Sequence, residues 1–191
     1  MDYAIRDCQP GDETAWLRCR ALAFLDTSYF DAVERSKPSI DAPGFELVAA
    51  APSGELLGVM DVSVDGETAT IDTIAVHPDH RSRGIGLALL QEAIRRATPV
   101  ATTLDAWTRD DPDALRWYRS NGFTEGGHYL HVYADFYNDA AELDRAIAER
   151  RPSLSPIKVF LHANLEDEAA MRAQFKRVHV CRRFALELHR F

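Results

Sequence analysis

The sequence predicts a mixed α/β fold with α+β layering: a mostly antiparallel central sheet holding one parallel strand pair, flanking helices, and a strand-helix-strand extension at the C-terminus. Three observations predict it. Two β-type runs, Phe45–Ala51 and Leu56–Val64, are joined by the turn Pro52-Ser53-Gly54, and Asp65-Gly66 is a hairpin signal leading into a third, Ile71–Val76. That third strand passes through a basic, glycine-containing turn into a helix and then into the strand Val100–Trp107, and a strand-helix-strand of this length makes a parallel crossover pair. Beyond residue 138 the signals run helix, strand, helix, strand with no shift in composition, so residues 1–191 read as one domain with a core to about 138 and an extension over 139–191 that completes the sheet and covers one side.

Residues 3–6 read as a short first strand. Asp12 is placed to cap a helix running to about Phe24, with Ala15, Trp16, Cys19 and Ala23 on one face. A stretch containing Phe24-Leu25-Asp26-Thr27-Ser28-Tyr29-Phe30 follows, punctuated by Pro38 and Pro43 before Gly44. Ile85, Leu89, Leu90, Ala93, Ile94 and Ala97 form one apolar stripe at helical spacing. Asp111-Pro112 opens a second short helix, an N-cap followed by proline, and Asn121-Gly122 ends it. His128–Asp135 reads as a strand and Asp139–Arg150 as a helix, through Leu143, Ala146 and Ile147. Pro152–Pro156 is a break, Ile157–Leu161 a strand, Glu166–Phe175 a helix, and Val178–Leu188 a long alternating strand.

Composition narrows the function classes. The hydrophobic fraction is 46% and the charged fraction 27%, ordinary for a globular domain. No apolar run approaches the roughly 20 residues of a membrane span. The N-terminal residues lack a signal-peptide layout, and Cys8, Cys19 and Cys181 are widely spaced with no Cys-x-x-Cys. Both features suit a reducing cytoplasm and give no zinc pattern. Net charge is −8, from 22 basic and 30 acidic side chains, which argues against nucleic-acid binding and favours a cationic acceptor.

The sequence centres on Ile71–Leu90. Pro78 stops the strand, Asp79-His80-Arg81-Ser82-Arg83 turns, and Gly84-Ile85-Gly86 opens the helix. Free N–H groups and the positive end of the helix dipole favour an anion there; glycine admits close backbone approach and arginine adds forked hydrogen bonds to phosphate. It is not a P-loop, since Gly-x-x-x-x-Gly-Lys-Ser/Thr is missing, and as a dinucleotide fingerprint it fails at Leu89, where a third glycine or alanine belongs.

The pattern Arg81-x-x-Gly84-x-Gly86 behind Ala75-Val76-His77-Pro78 resembles the acyl-CoA pyrophosphate loop of the GNAT (general N-acetyltransferase) superfamily. Asp111-Pro112-Asp113-Ala114-Leu115-Arg116-Trp117-Tyr118-Arg119-Ser120-Asn121-Gly122-Phe123 is similar to the family's later motif, and together they cover about residues 45–135. The resemblance implies a parallel pair that splays to admit the pantetheine arm, and acetyl transfer from acetyl-CoA to the amine of a small molecule or protein. It implies no metal. It implies that Arg81, Arg83, Gly84, Ile85 and Gly86 hold the carrier, that main-chain groups of Ile74, Ala75 and Val76 pair with pantetheine and polarise the thioester, and that Tyr118 is the general acid. Asp111 stands where the family often has an asparagine that contacts the arm; its residue type favours capping. Asp72 is the candidate base or acceptor contact, with His77, Asp105 and Asp110 as other relays. Asp26, Tyr29 and Phe30 lie where the family covers the acceptor. His128, His131, His162 and His179 read as structural. A non-catalytic acyl-CoA sensor or interaction module of the same fold is the rival reading, the acceptor and acyl length stay open, and pairing of two copies as a homodimer is compatible with the sequence.

Overall fold

A computed structural model of the chain describes residues 2–189. In chain order these form β1 (Ala4–Asp7), α1 (Glu13–Phe24), β2 (Phe45–Ala50), β3 (Leu56–Asp65), β4 (Thr68–Val76), α2 (Ile85–Ala97), β5 (Thr103–Thr108), α3 (Pro112–Ser120), β6 (Thr124–Asp135), α4 (Glu142–Ala146), β7 (Lys158–Ala163), α5 (Glu168–Gln174) and β8 (Arg177–Glu187). The strands follow the order β1-β2-β3-β4-β5-β8-β6-β7. Pairing is antiparallel from β1 to β4 and between β6 and β7, and parallel between β4 and β5. The mixed sheet with a parallel pair is the fold class expected above.

The chain divides into two compact units. The first holds the described residues up to Trp107, Asp111–Glu125 and those from Phe184 on; the second holds Thr108–Asp110 and Gly126–Arg183. The longest piece of the second unit begins after Glu125, and the end of β8 belongs with the first unit.

In the first unit the two faces of the sheet are read off β2. Leu47 and Ala49 join the core under α2, with Leu57, Met60, Ile71, Ile85, Leu89 and Leu104. Val48 and Ala50 point the other way, under Trp16, Cys19 and Ala23 of α1. Gly58 makes the α2 packing close. A Cβ there would stand 2.9 Å from Ile85 Cγ2, 3.2 Å from Leu89 Cδ1 and 3.2 Å from the Ala75 carbonyl oxygen. Under α1 lies a buried carboxyl, Asp61, 2% exposed, with Lys37 Nζ at 3.6 Å. Burial pushes it up to about 6 against the opposing pull of Lys37.

In the second unit, Leu130, Val132 and Ala134 of β6 and Val178 and Val180 of β8 pack with Leu143 and Phe175. On β6 they alternate with Tyr129, His131 and Tyr133, which therefore occupy the opposite face.

Three local expectations are corrected. Asp12 does not cap α1. Its carboxylate takes two guanidinium N–H groups of Arg6, at 2.6 and 3.0 Å, and the Gln9 N–H at 2.8 Å, and a bidentate fork to a cation outcompetes a cap to one backbone N–H. The helix expected over 139–150 is only Glu142–Ala146. Glu142 is fully buried, and its carboxylate accepts from the main-chain N–H of Asp135 at 2.9 Å and of Lys176 at 2.6 Å; Ile147 is already extended. β6 starts at Thr124, because its Gly126-Gly127 pair continues the strand rather than preceding it.

Gly58→Val should destabilise the protein by about 1–3 kcal/mol, because the nearest obstacles include a backbone carbonyl that cannot swing aside; urea unfolding measures it. Asp61 binds its proton more tightly folded than unfolded. That contribution is complete below about pH 4 and is lost as pH rises through 6, about 3 kcal/mol for the shift to about 6. Asp61→Asn should therefore gain stability relative to wild type between pH 4 and 7, and parallel stability curves would exclude the effect.

Candidate functional site

The site is built where β4 and β5 part. Their parallel register covers four rungs, Thr68↔Thr103 to Ile71↔Ala106. β4 then runs on for five residues, to Val76, along β3 alone. The change begins at a bulge: Asp61 faces Thr73 and Val62 faces Ile71, so Asp72 is the extra residue. The His77 N–H bonds to the Leu57 carbonyl at 2.9 Å, which fixes the alternation beyond the bulge. Ala75 turns its main-chain groups to β3, opposite Val59, while Ile74 and Val76 turn theirs toward the side from which β5 has departed.

Behind Val76 the chain makes a turn of 3₁₀ helix, Pro78–His80, in which the Asp79 N–H donates to His77 Nδ1 at 3.3 Å. Ser82 has φ 61° and Gly84 φ 77°, so the chain enters α2 from a left-handed residue that glycine adopts without strain. A Cβ at Gly84 would meet nothing within 4 Å. Among the described residues no side chain caps α2, and no acid lies in its first turn. Its leading N–H groups thus have no side-chain cap, and the positive end of the dipole lies with them. Gly86 lies two residues beyond Gly84, where a Cβ would come 3.6 Å from Trp117 Nε1 and 3.7 Å from Val76 Cγ2.

The arginines of the turn divide their work. Arg81 donates from Nη2 to the Ala23 carbonyl at 2.6 Å, near the C-terminus of α1, where a cation also complements the dipole. Its side chain is committed to the scaffold. Arg83 is exposed, with Nη1 3.4 Å from Nδ1 of the buried His80.

α3 brings Tyr118 into the core. Its ring stacks on Phe184 at 5.1 Å and meets Trp117 and Phe123 edge-on at 5.0 and 5.2 Å. Burial, and after it the neighbouring Tyr29 phenol, push the Tyr118 phenol well above its ordinary value, so it is fully protonated at neutral pH. Asp111 corrects the capping expectation. Its carboxylate makes no cap to α3, which is started by Pro112; instead Oδ1 accepts the Ser28 N–H at 3.0 Å and Oδ2 the Ser28 hydroxyl. Ser28 lies 83 residues away in sequence, and nothing local announces it.

The acidic candidates differ in setting. Asp72 is exposed, and its Oδ2 accepts the Ser63 N–H at 3.0 Å, which stabilises the bulge. Asp105 is 4% exposed and accepts the Thr70 hydroxyl at 2.6 Å, on one of the last rungs before the strands part. Asp110 belongs to the second unit, where Oδ1 lies 2.9 Å from His179 Nδ1 and Oδ2 3.5 Å from Arg172. Among the described residues no cluster of His, Cys, Asp or Glu is arranged to hold a metal ion, and no helix is long and apolar enough to cross a membrane.

Asp111→Ala should leave α3 formed but loosen the segment after α1, at a cost of about 1–3 kcal/mol. Hydrogen exchange reads this as lost protection at the Ser28 amide with the α3 amides unchanged; lost α3 protection would restore the capping role.

Comparison with known proteins agrees with this geometry. Residues 43–125 match a family model described as an acetyltransferase (GNAT) domain. Over 84 residues the chain is 34% identical to a mycothiol acetyltransferase of Stackebrandtia nassauensis, covering 43% of this chain and 28% of that protein, so the match spans under a third of the relative's length. Among solved structures, the ribosomal-protein-S18-alanine N-acetyltransferase of Escherichia coli superposes with a TM-score of 0.61 at 17% identity, over 100% of this chain and 96% of that one. A PaiA N-acetyltransferase of Thermoplasma acidophilum, in complex with coenzyme A, gives 0.55 at 17% identity, over 66% of this chain and 92% of that one. Such distant likenesses show the fold. The matched segment runs from just before β2 through the turn ahead of α2 and past α3, so residues 43–125 are similar to a GNAT acetyltransferase domain.

Proposed function

We propose that this chain transfers an acetyl group from acetyl-CoA directly to the primary amine of an acceptor. One observation carries the reading: the uncapped N-terminus of α2, entered from left-handed Gly84, directly follows a stretch of β4 that β5 no longer pairs. The leading N–H groups of α2, at Ile85 and Gly86, would take the pyrophosphate, with Arg83 beside them. The main-chain groups of Ile74 and Val76 would pair with the pantetheine amides and polarise the thioester carbonyl. Ala75 serves through its packing under α1, and Arg81 through the frame it gives the turn.

Acetyl-CoA supplies a thioester carbonyl already activated toward amines. The acceptor nitrogen attacks that carbon, the C–S bond breaks, the departing thiolate takes a proton, and the nitrogen loses one. Tyr118, protonated and buried, suits the donor to sulfur. For the nitrogen's proton, Asp105 fits better than Asp72. Its carboxylate sits at the fork, whereas that of Asp72 serves the bulge. Tyr29 and the segment after α1 are the candidate acceptor contacts. One relative is named a mycothiol acetyltransferase, and small-molecule amines are the first class to screen.

The test combines calorimetric titration with acetyl-CoA and CoA, and thiol release across an amine panel. Acetyl-CoA and CoA should bind, and Gly84→Glu should abolish binding, since a side chain there is strained and fills the space needed by phosphate. Tyr118→Phe should lower turnover about 100-fold at near-constant acetyl-CoA affinity. Binding without thiol release from any amine would overturn the enzyme in favour of a sensor, and unchanged turnover in Tyr118→Phe would remove the acid role.

A further inference from the structure

We propose that the first unit carries a receptor for a primary ammonium group, built from Asp61, Glu46 and Trp16, in which the chain's own Lys37 is a resident occupant that a ligand ammonium displaces. Lys37 comes from the stretch between α1 and β2, which holds no α-helix or strand. Its side chain is still only 9% exposed. The ammonium donates to the Glu46 carboxylate and, at 3.2 Å, to the Pro38 carbonyl. It lies 3.6 Å from Asp61 Oδ1 and 5.2 Å from the centre of the Trp16 ring. The walls come from three elements: Glu46 from β2, Asp61 directly opposite it on β3, and Trp16 from α1. Two carboxylates beside an aromatic face are the chemistry that recognises an alkylammonium. The acids meet the charge, and the ring meets both the charge and the apolar stem.

The receptor offers more than its own lysine uses. Asp61 is 2% exposed, and its Oδ1 makes no hydrogen bond among the described residues. A buried carboxylate oxygen left in this way is costly, and an untethered ammonium with three donors is free to serve it together with Glu46. Burial pushes Asp61 up to about 6; Lys37 pulls it down and Glu46 pushes it further up. Two other groups lie in its field. Arg20 donates from Nη1 to the Ala32 carbonyl at 2.6 Å and has Glu34 3.7 Å from Nη2, and burial pushes the Cys8 thiol up to about 11, so it is neutral. An amine held between two acids stays protonated and is no nucleophile. On the acetyl-transfer reading, on which this step rests, the receptor therefore holds a second ammonium of the acceptor while another nitrogen reacts. Asp61 faces Thr73 of β4, one residue before Ile74, the proposed thioester partner. The acceptor class this selects is an alkyl diamine.

The experiment titrates the full chain with n-butylammonium chloride in the presence of CoA, above the pH at which Asp61 ionises, against sodium chloride at equal ionic strength. The readout is the carboxyl carbon resonances of Asp61 and Glu46 and the ammonium resonance of Lys37. Saturable shifts at both carboxyls are expected with n-butylammonium alone, together with loss of the Lys37 signal to solvent exchange. A tethered ammonium competes at a high effective concentration, so Lys37→Ala should tighten binding about tenfold or more. Absence of a saturable shift in the wild type, or unchanged affinity in a folded Lys37→Ala, overturns the receptor. The wild-type resonances decide the matter even where the variant fails to fold. In turnover, 1,4-diaminobutane should exceed n-butylamine about tenfold in kcat/KM, and equal values overturn the assignment of the receptor to the acceptor. Failure of the acetyl-CoA reading would show separately, as unmoved Gly84–Gly86 amides on adding CoA.

Discussion

The pairing between β4 and β5, and the point where it stops, governs the rest of the first unit. Parallel strands cannot be joined by a hairpin, so α2 must cross over and return, and its N-terminus is thereby delivered to the carboxyl end of β4. Had the pairing continued to Val76, the main-chain groups of Ile74 and Val76 would be spent on β5. It stops at Ile71–Ala106, next to the Asp72 bulge. Unmade backbone hydrogen bonds are costly when water is excluded, so a protein that keeps such an edge beside an uncapped helix has reason to fill both with one ligand. The Asp72 bond to Ser63 N–H belongs to the same device, since it repairs β3 where the bulge has disturbed it.

What was legible in the sequence was local. Pro78, Gly84 and Gly86 act on their own backbone, so the turn and the start of α2 could be read from the residues that make them. Pro112 and Gly122 bound α3 in the same way, Gly122 with φ 85°. Gly58 carries no such signal: it reads as an ordinary strand glycine until Ile85 and Leu89 are laid over it. The helix over 139–150 failed for a related reason. Leu143, Ala146 and Ile147 have helical spacing, but the buried Glu142 carboxylate, bonded to two main-chain N–H groups outside the helix, decides how far it runs. The bond from Arg109 to His131 in the second unit was equally hidden, since Arg109 follows the end of β5 and His131 lies on β6.

Arg81 and Asp111 show why a motif residue need not touch the ligand its motif is known for. Both stand within the two stretches that resemble the acyl-CoA site, and both bind their charged ends to the last turn of α1 or the chain that follows it. Arg81 takes the Ala23 carbonyl, and Asp111 takes the Ser28 amide and hydroxyl. The turn ahead of α2 and the start of α3 therefore hold the same short segment at two points five residues apart. Between and beside those points lie Phe24 and Tyr29, whose rings are 5.5 Å apart, and Tyr29 is the phenol that helps keep Tyr118 protonated. A disturbance of the turn ahead of α2 would thus reach the end of α1 through Arg81 by one hydrogen bond. Charge-assisted bonds of this kind are shorter and stronger than neutral ones, so the coupling is stiff. The proposed carrier turn and the candidate acceptor segment are in this sense one mechanical object, although their sequences lie far apart.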